Sequence, residues 1–520
     1  MLYLSSRNSP IGGRFKYFLT QMIKYRSIHA PISHYSTLKE FTDQLDLISP
    51  RFKIHGSNIK IISSPSDFYE TLKTKFLAAE NRIFISTLYI GIREHELIST
   101  LYESIRAKSC LKVSILTDAL RGTRESPSSS CASLLAPLVE EFGPERVDIR
   151  MYHTPNLTGV KKYCIPKRIN EGWGLQHIKL YGFDDEIIVS GANLSSEYFT
   201  NRQDRYHLFS SKGLTDYFFR LHTTLLKLSF QILPNSHSTD KYTLEWPISN
   251  LAPSPLISPL EYISESSKLL SQDSLSNSDQ MISNESNLSD TVVYPIVQLT
   301  PLSSTNDPST ELSAIKSILS TLISPRYNKT SWTFTAGYFN PIPELTQLLL
   351  STASTSNTII TASPWANGFY GSKGVSRLIP CAYTLLLRHF LEAVEKKNRE
   401  RDISVKEWRL GTVGEPNGWT YHAKGLWISL EKKHTKKSSV DISIIGSSNY
   451  TKRSYSLDLE AGVIIFTENK DLKMQLGQER DNIEKFAKEV SLSQLARAER
   501  KVGLKVRLAM WIVSMLGCAL

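Results

Sequence analysis

The chain has 520 residues, which is long enough for two domains of ordinary size, each with its own core. Its 41% of hydrophobic and 21% of charged residues are typical of a globular protein, and no apolar run reaches the ~18 residues of a membrane-spanning helix. The formal net charge of +11 points to anionic partners, either lipid headgroups or nucleic acid.

The amino-terminal segment is basic. Residues 1–39 contain six Lys and Arg residues, and the first acidic residue is Glu40. With several Ser and Tyr residues interspersed, this composition predicts a mitochondrial presequence. The alternative is a basic disordered tail.

Strands and helices alternate in the region that follows. Strands are predicted over 58–64, 82–91, 111–118 and 147–153, and helices over 65–80, up to Lys108 and around 214–233. Alternation of this kind indicates an α/β fold whose mixed, largely parallel sheet carries helices on both faces.

One turn in this region is a candidate for phosphate binding. Gly91 and Arg93 lie where a strand meets the start of a helix, and backbone amides at such a position can receive a phosphate. The turn lacks the G-x-x-x-x-G-K-S/T pattern of a nucleotide P-loop, so it does not support an ATP site. It is predicted to contact the nucleotide of a substrate.

A cluster of polar residues follows on LQHIKLYGFDD and continues into SGANLSSEYFTNRQD. The first stretch supplies His177, Lys179 and Asp184, and the second supplies Asn193 and, eleven residues later, Asp204. On a strand, side chains two residues apart point to the same side. We therefore expect His177 and Lys179 to face one place.

Residues 249–289 have a serine-rich, polar composition with scattered Pro and Leu. Such a stretch cannot bury enough apolar surface to offset the entropy lost on ordering, so it is predicted to be a flexible insert. It separates two regions, 52–235 and 292–488, that we interpret as two domains.

The second region repeats the alternation. Strands are predicted over 292–299, 331–339, 357–363 and 460–466, and helices over 311–323 and 375–397.

The second region also repeats the polar motif. TYHAKGLWISL supplies His422 and Lys424, and GSSNYTKRSYSLDLE supplies Ser447, Asn449 and, again eleven residues after the Asn, Glu460. The chain is therefore a degenerate duplication that carries one half-site per copy.

A third His-x-Lys, formed by His434 and Lys436, lies within EKKHTKKSS. It is surrounded by charged residues and is predicted to be a solvated loop between strands. For His177 and His422 the alternative is a pair of satisfied strand histidines, against which the recurring Asn and carboxylate offsets argue.

The carboxyl-terminal segment, 489–520, is first basic and then apolar. In its last thirteen residues, Leu508–Leu520, the only polar residue is Ser514. This tail is too short to span a bilayer but suits a membrane interface, with Trp511 at headgroup depth. The alternative is a terminal helix docked on the core.

The five cysteines are far apart in sequence and lack C-x-x-C spacing. They indicate free thiols in a reducing compartment and no zinc site.

The two motifs together have the chemistry of a phosphate site. A neutral imidazole can attack phosphorus or move a proton, and Lys and Asn side chains can hold non-bridging oxygens. A carboxylate on the far ring nitrogen fixes the tautomer, and Asp204 and Glu460 are the candidates for that role. With two facing half-sites, one His can attack while the other handles protons on the opposite side of phosphorus. This arrangement requires no metal ion.

The repeated H-x-K-x4-D, followed each time by G/S-x-N, resembles the phospholipase D superfamily. The stretch from Gly174 to Tyr206 resembles, within it, the eukaryotic phosphatidylglycerophosphate synthase family. The likeness runs from about Phe52 to about Lys488, apart from the serine-rich insert. The second copy has Ser429 where the pattern has Asp; because Asp184 is expected to bond locally at a turn, we interpret Ser429 as a tolerated structural change.

This resemblance implies a fold and an activity. The fold would be two phospholipase D-like repeats packed pseudo-symmetrically around one active site. The substrates would be CDP-diacylglycerol and glycerol 3-phosphate, and the products phosphatidylglycerophosphate and CMP, the first step towards phosphatidylglycerol and cardiolipin. The enzyme would act at an anionic membrane surface, on the matrix side of the mitochondrial inner membrane, and would need no cofactor, with its dependence on divalent cations open.

The resemblance also implies residue roles. His177 would attack the phosphorus and leave a phosphatidyl-histidine, and His422 would deprotonate the glycerol hydroxyl, although the reverse assignment stays open. The phosphoryl oxygens would be held by Lys179, Lys424, Asn193, Asn449 and Ser447. Asp204 and Glu460 would orient the two rings.

Two other functions stay open at this stage. One is a mitochondrial nucleic-acid phosphodiesterase such as a tyrosyl-DNA phosphodiesterase, whose motifs also lack the Asp, although no clear array of stacking aromatics in a basic groove is visible. The other is an inactive scaffold that binds anionic lipid, against which the intact site residues argue.

Overall fold

The computed structural model describes residues 34–126, 129–167, 169–271, 289–304, 307–430 and 439–515. Residues 44–520 belong to one compact unit, and residues 1–43 to another. Most of the predicted presequence, 1–39, lies outside the described residues, and its last residues begin the first helix.

The elements alternate along the chain much as predicted. The strands are β1 (Phe52–Ile54), β2 (Ile59–Ile62), β3 (Arg82–Ser86), β4 (Lys112–Asp118), β5 (Val147–Tyr152), β6 (Leu180–Phe183), β7 (Glu186–Ser190), β8 (Arg202–Gln203), β9 (Tyr206–Ser210), β10 (Phe230–Pro234), β11 (Tyr242–Glu245), β12 (Thr291–Gln298), β13 (Ser331–Ala336), β14 (Asn357–Ala362), β15 (Ile403–Trp408), β16 (Thr420–Tyr421), β17 (Lys424–Ser429), β18 (Ile442–Gly446), β19 (Glu460–Thr467) and β20 (Ala487–Glu489). The helices are α1 (His34–Leu45), α2 (Pro65–Ala78), α3 (His95–Ala107), α4 (Ala119–Gly122), α5 (Cys131–Phe142), α6 (Gly159–Cys164), α7 (Ser196–Thr200), α8 (Lys212–Leu226), α9 (Pro259–Leu269), α10 (Glu311–Thr321), α11 (Pro343–Ser351), α12 (Ile379–Lys396), α13 (Lys452–Ser456), α14 (Lys470–Glu484), α15 (Leu492–Leu495) and α16 (Leu504–Met515).

Two large sheets carry the duplication. The described residues of one sheet have the strand order β11-β10-β5-β4-β3-β6-β7-β9-β2, and those of the other have β1-β12-β19-β18-β17-β13-β14-β15-β20. Seven successive strands of each sheet follow the same path: β5-β4-β3-β6-β7-β9-β2 corresponds to β15-β14-β13-β17-β18-β19-β12. The predicted pair of repeats is therefore confirmed at the level of topology.

The sheets are mixed, as expected, but they are not largely parallel. Each sheet contains three strands that pair in parallel. They are β3, β4 and β5 in the first sheet and β13, β14 and β15 in the second. The strands that carry the motifs pair antiparallel, since β6 and β7 are joined by a two-residue turn and β17 pairs with β18. A turn that short can connect only antiparallel strands.

One apolar core joins the two repeats. It contains Ile178, Val189 and Phe209 of the first sheet together with Trp427 and Val463 of the second, all buried. Strand β7 lies against β18 and β19. The inner faces of the two sheets are therefore held together by packing, which fixes the two motifs relative to each other.

Several predicted boundaries need correction. Strand β1, assigned to the first domain, pairs with β12 of the second sheet. The helix predicted over 214–233 ends at Leu226, and Phe230–Pro234 pairs with β5 and β11 instead. Strand β1 therefore belongs to the second sheet although it begins at residue 52, and the first sheet continues past residue 235 to include β11.

The predicted flexible insert, 249–289, is partly ordered. Residues Pro259–Leu269 form α9, whose Tyr262 is buried in the core and donates a hydrogen bond from Oη to the Leu228 carbonyl at 2.8 Å. Burial of one large aromatic ring offsets the serine-rich composition that predicted disorder. Residues 272–288 of the insert lie outside the described residues.

The carboxyl-terminal helix α16 has one buried and one exposed side. Val502 and Val506 pack with Ala382 and Leu385 of α12. Leu504 and Leu508 point outward, with 84% and 58% of their surface exposed. The segment thus docks on the core and still presents an apolar side. No helix in the described ranges is both long and apolar enough to cross a bilayer.

Candidate active site

Each motif histidine lies in an extended segment that pairs with the other repeat. The His177 N–H donates to the Leu459 carbonyl at 2.9 Å, next to a parallel bridge between Gln176 and Leu459. In the same way, the His422 N–H donates to the Gln203 carbonyl at 2.9 Å, where β16 pairs with β8. The backbone therefore brings each histidine beside the carboxylate segment of the opposite repeat.

The carboxylates cross between the repeats. The Nδ1 atom of His177 lies 3.0 and 2.9 Å from the two oxygens of Glu460. The Nδ1 atom of His422 lies 2.7 Å from Oδ2 of Asp204. The expectation that these carboxylates orient the rings agrees with this geometry, and each does so for the histidine of the other copy.

This pairing defines the chemistry of both rings. A carboxylate only accepts, so each Nδ1 carries the proton and each Nε2 of a neutral ring keeps its lone pair. The two side chains are 12% and 6% exposed, and burial, followed by the neighbouring Lys179 or Lys424, lowers the pKa of each histidine well below its usual value. Both rings are therefore neutral and competent to attack or to take a proton at neutral pH.

The two half-sites lie close enough to act on each other electrostatically. Lys424 of the second copy contributes to the lowered pKa of His177, and Lys179 of the first contributes to that of His422. The two motifs therefore form one site.

The lysines occupy equivalent positions. Nζ of Lys179 donates to the His177 carbonyl at 2.5 Å, and Nζ of Lys424 donates to the His422 carbonyl at 2.9 Å. Burial lowers the pKa of Lys179 to about 7 and that of Lys424 to about 8, against the opposing charges of Glu460 and Asp204. A bound phosphate supplies the counter-charge that favours their protonated forms.

The two carboxyl groups respond in the opposite sense. Burial raises the pKa of Glu460 to about 7 and that of Asp204 to about 6, although Lys179 and Lys424 respectively lower them. The four ionisable groups around the two rings therefore change charge within a narrow range of pH.

The motif asparagines follow β7 and β18. Oδ1 of Asn193 and Oδ1 of Asn449 are both buried, and neither has a hydrogen-bond partner among the described residues. Because the two ends of an amide are exchangeable by rotation, each side chain can turn an N–H towards a ligand. Buried polar atoms without partners at equivalent positions fit the predicted role in holding phosphoryl oxygens.

Ser447 has a different role from the predicted one. Its hydroxyl is fully buried and donates to Oε2 of Glu460 rather than facing a substrate phosphate. It therefore supports the carboxylate that orients His177. The sequence offset alone could not separate these two roles, because both lie near the Asn loop.

Asp184, which matches the superfamily motif, is structural. With φ of 48° in the β6–β7 turn, it accepts backbone N–H groups of Glu80, Asn81 and Arg82 at 2.7 to 2.9 Å. Burial alone raises the pKa of this carboxyl, but those hydrogen bonds lower it overall. In the second copy Ser429 donates to the Ser439 carbonyl, so the Ser also serves local structure.

The predicted phosphate turn does not offer the expected amide. The Gly91 N–H donates to the Leu194 carbonyl at 2.7 Å and is therefore not available to a phosphate. Gly91 and the exposed Arg93 line a cavity of about 430 Å³ beside the Asn193 loop. Contact with a nucleotide stays a prediction. The third pair, His434 and Lys436, lies outside the described residues.

Three residues near the site were not identified from the sequence. Tyr198 Oη lies 3.4 Å from Nε2 of His422, and Tyr338 meets the same ring edge-on at 5.8 Å. Arg202 lies over the Tyr198 ring at 4.4 Å. Tyr198 and Arg202 fall within the first motif, but only the fold brings Tyr338 to them.

Comparison with known proteins gives relatives of one activity. The CDP-diacylglycerol–glycerol-3-phosphate 3-phosphatidyltransferase of Saccharomyces cerevisiae is 46% identical over 461 residues, which cover 88% of each chain. The mitochondrial enzyme of that name from Homo sapiens is 33% identical over 88% of this chain and 83% of its own. None of the protein-family models searched matches the sequence. Among solved structures, a phosphatidylserine synthase of Haemophilus influenzae has the same fold, with a TM-score of 0.65 and 17% identity over 92% of this chain and 97% of its own.

Proposed function

This chain belongs to the CDP-diacylglycerol–glycerol-3-phosphate 3-phosphatidyltransferase family, and we infer from that premise that it makes phosphatidylglycerophosphate and CMP. The product is the phospholipid from which phosphatidylglycerol and cardiolipin are made. The observation that carries this conclusion is the high identity to relatives of this activity over most of the chain. The crossed pair of His–carboxylate units supplies matching chemistry.

We propose that the first step is attack by Nε2 of His177 on the phosphorus that carries the diacylglycerol. A P–N bond forms, and the P–O bond to CMP breaks. Glu460 supports this step because it accepts the Nδ1 proton of His177 and stabilises the positive charge that develops on the ring. CMP leaves as a phosphate monoester, whose second pKa of about 6 means that it needs little help from an acid.

In the second step His422 takes the proton of the glycerol hydroxyl at Nε2. The hydroxyl oxygen attacks phosphorus, the P–N bond breaks, and His177 is restored. Asp204 stabilises the protonated His422 ring until its proton passes to solvent. Each carboxylate thus supports one half-reaction.

Charge on the transferring phosphoryl group is balanced by the chain itself. Lys179 and Lys424 lie two residues after the histidines, and Asn193 and Asn449 have unpaired amide ends beside them. These groups stabilise the charge that builds on the non-bridging oxygens. We propose that this chemistry needs no metal ion.

The membrane association is also a proposal. The exposed leucines of α16, Leu504 and Leu508, lie among Lys501, Lys505 and Arg507, a pattern that suits an interface with anionic lipid. The animal relatives are named mitochondrial, and residues 1–39 have the composition of a presequence. We propose that the enzyme acts on the matrix face of the mitochondrial inner membrane.

One assay tests the function. Purified protein is incubated with CDP-diacylglycerol and glycerol 3-phosphate, glycerol or water, and the lipid formed is identified. We expect phosphatidylglycerophosphate with glycerol 3-phosphate and little phosphatidate with water, and strongly reduced formation of phosphatidylglycerophosphate by His422→Ala. Cleavage of a 3′-tyrosyl oligonucleotide without any use of CDP-diacylglycerol would overturn the conclusion in favour of a nucleic-acid phosphodiesterase.

A further inference from the structure

Two equivalent positions in the repeats carry exchanged charges. Four and nine residues after Asn193 lie Glu197 and Arg202, whereas four and nine residues after Asn449 lie Arg453 and Asp458. The short helices α7 and α13 begin three residues after each Asn, so the positions correspond in space as well as in sequence. The two half-sites therefore differ in charge at matched places.

In the second repeat the charges neutralise each other. Nε of Arg453 donates to Oδ2 of Asp458 at 2.8 Å, and Nη2 donates to the Glu171 carbonyl at 2.9 Å. Oδ1 of Asp458 accepts the Leu175 N–H at 2.9 Å. The Arg453–Asp458 pair therefore bonds to the backbone of the segment before His177 and stabilises its position.

In the first repeat the arginine has no acid partner. Nε of Arg202 donates to Oγ1 of Thr420 at 2.9 Å, while the carboxylate of Glu197 accepts from Oγ of Ser195 at 2.7 Å. No carboxylate of the described residues lies within 4.0 Å of the Arg202 guanidinium, which is only partly exposed. Glu197 and Asp204 interact electrostatically with Arg202 from beyond that distance, so the partly buried cation has negative charge nearby but no contacting counter-ion, which an anionic ligand would supply.

The guanidinium lies over the ring of Tyr198, whose hydroxyl is next to the reactive Nε2 of His422, and its charge contributes to the lowered pKa of that histidine, after burial and Lys424. A Cβ added at Gly368 would be 3.0 Å from Oη of Tyr338 and 3.4 Å from Nη2 of Arg202, so these two groups converge on one place. Tyr338 meets the His422 ring edge-on, and Oη of Tyr198 lies 3.4 Å from its Nε2. Within the described residues, the Tyr338 hydroxyl makes no hydrogen bond. One cation and two phenol hydroxyls thus lie together on the side of His422 where Tyr198 and Tyr338 contact its ring.

We propose that Arg202, with the hydroxyls of Tyr198 and Tyr338, forms a subsite for a phosphate monoester on the His422 side of the transferred phosphorus. This inference rests on the proposed function, in which His177 attacks from one side, and the leaving CMP and the entering glycerol hydroxyl occupy the other. CMP leaves through an oxygen of its own phosphate, and glycerol 3-phosphate attacks through a hydroxyl while carrying a phosphate monoester, so each of them brings a phosphate group to this side. A guanidinium binds such a dianion through two parallel hydrogen bonds, and phenols add further donors.

The subsite accounts for preference among acceptors. Glycerol and water lack the phosphate, so neither can pair with Arg202. Glycerol 3-phosphate gains this contact and is held with its free hydroxyl near His422. On the His177 side, the Arg453–Asp458 pair is neutralised and offers no such contact. This agrees with the proposed mechanism, in which the acceptor does not enter from that side.

The test uses the full-length enzyme and the variants Arg202→Gln, Arg202→Lys and Tyr338→Phe, with Lys452→Gln as control. Lys452 is exposed on α13 and is not part of the site. For each variant we measure kcat and KM for glycerol 3-phosphate, the rate of transfer to glycerol, exchange of labelled CMP into CDP-diacylglycerol, and the melting temperature.

For Arg202→Gln we expect KM for glycerol 3-phosphate to rise about 10- to 100-fold, the range expected for the loss of hydrogen bonds to a charged group. Transfer to glycerol should change little, and the melting temperature should stay near that of the wild type. Arg202→Lys should keep part of the preference, and Tyr338→Phe should lose a smaller part of it. Lys452→Gln should match the wild type.

The measurements of CMP exchange and of KM for glycerol 3-phosphate distinguish the two possible sources of the bound phosphate. Normal CMP exchange in Arg202→Gln with a raised KM for glycerol 3-phosphate assigns the subsite to the acceptor. Slow exchange with an unchanged KM for glycerol 3-phosphate assigns the subsite to CMP. Slow exchange together with a raised KM shows that CMP and glycerol 3-phosphate occupy the subsite one after the other. An unchanged ratio of glycerol 3-phosphate to glycerol transfer together with normal exchange in both Arg202→Gln and the milder Tyr338→Phe overturns the proposal. A wild type that makes no phosphatidylglycerophosphate refutes the proposed function instead.

Discussion

Around His422 the site presents a cation and two phenols, whereas around His177 the equivalent charges neutralise each other. Arg202 has no acid partner, while Arg453 pairs with Asp458 at 2.8 Å. The reacting groups are the same in both repeats, so the divergence lies in their surroundings. This difference suits the two proposed half-reactions, in which one histidine bonds to phosphorus and the other faces the leaving CMP and the entering glycerol 3-phosphate.

The two repeats also differ in the residues that lie against the orienting carboxylates. A Cβ at Gly191 would lie 2.7 Å from Oδ1 of Asp204, so this position leaves no room for a side chain. Ser447, at the equivalent position, instead donates a hydrogen bond to Glu460. The second repeat thus combines the longer Glu460 with Ser447, where the first combines the shorter Asp204 with Gly191. In both copies the carboxylate oxygen stays near 3 Å from Nδ1 of the histidine.

The largest effects should come from the histidines, and they should differ between the repeats. We expect His422→Ala to slow overall transfer by roughly 10²- to 10⁴-fold, the usual contribution of a positioned base. It should still release CMP in a burst and accumulate a phosphatidyl-enzyme, whereas His177→Ala should show no burst. Rapid quenching with labelled CDP-diacylglycerol measures both.

The control for this experiment is His434→Ala, which should keep full activity. The wild type should also exchange labelled CMP into CDP-diacylglycerol without glycerol 3-phosphate, as a ping-pong route requires. A burst in His177→Ala but not in His422→Ala would reverse the two roles.

The crossed carboxylates should give the next largest effect. Glu460→Gln should slow the CMP burst, because its partner is His177, and Asp204→Asn should spare the burst and slow transfer to the acceptor. Each loss could reach ~10⁴-fold, as for the wrong imidazole tautomer in a hydrolytic triad. If each variant instead reproduced the defect of the histidine in its own repeat, the crossed pairing would be wrong.

The pH dependence should separate the half-reactions further. Burial raises the pKa of Glu460 to about 7 and that of Asp204 to about 6, and both act as carboxylates. As pH falls, Glu460 gains its proton first, so the burst rate should decline at higher pH than the transfer rate. Stopped-flow burst and steady-state transfer rates from pH 5 to 9 test this, and equal acid limbs would argue against it.

A smaller effect is expected at the exposed side of α16, the proposed membrane contact. Replacing both Leu504 and Leu508 by Glu should weaken sedimentation with anionic vesicles, since a large apolar side chain contributes roughly 1.5 to 3 kcal/mol when fully buried. Turnover on detergent-dispersed substrate should change less. Leu260→Glu, at an equally exposed leucine of α9, is the matched control. Unchanged sedimentation of the double variant would exclude this side of α16 as the membrane contact.

The smallest effect on activity should come from Asp184 and Ser429. Asp184→Ala removes an acceptor of three backbone N–H groups and should lower stability by about 1 kcal/mol. Its kcat at a temperature where it is folded should match the wild type, as should that of Ser429→Ala. Urea unfolding and steady-state kinetics check the two quantities separately. A large loss of kcat in Asp184→Ala alone would mean that the first motif uses its Asp in the reaction.

The sequence alone could predict the duplication, most of the strands and the eight residues proposed for the candidate site. The evidence was local, because His-x-Lys puts both side chains on one side of an extended segment, and Asn and carboxylate recur at the same offsets. Alternating apolar runs also predicted most of the helices and strands. Composition misjudged α9, where a single buried ring, Tyr262, outweighs many serines.

The tertiary structure decided which of those groups meet. Glu460 lies eleven residues after Asn449 and 283 residues after His177, yet it bonds to His177. Linear spacing cannot encode this, because the contact arises where extended segments of the two repeats pair across their interface. Hydrogen bonds within each repeat occupy the Gly91 amide and the Ser447 hydroxyl, and the contact between the repeats brings Tyr338 close to Arg202. Whether a polar group is free for a substrate depends on its hydrogen-bond partners, and those are set by packing rather than by sequence offset.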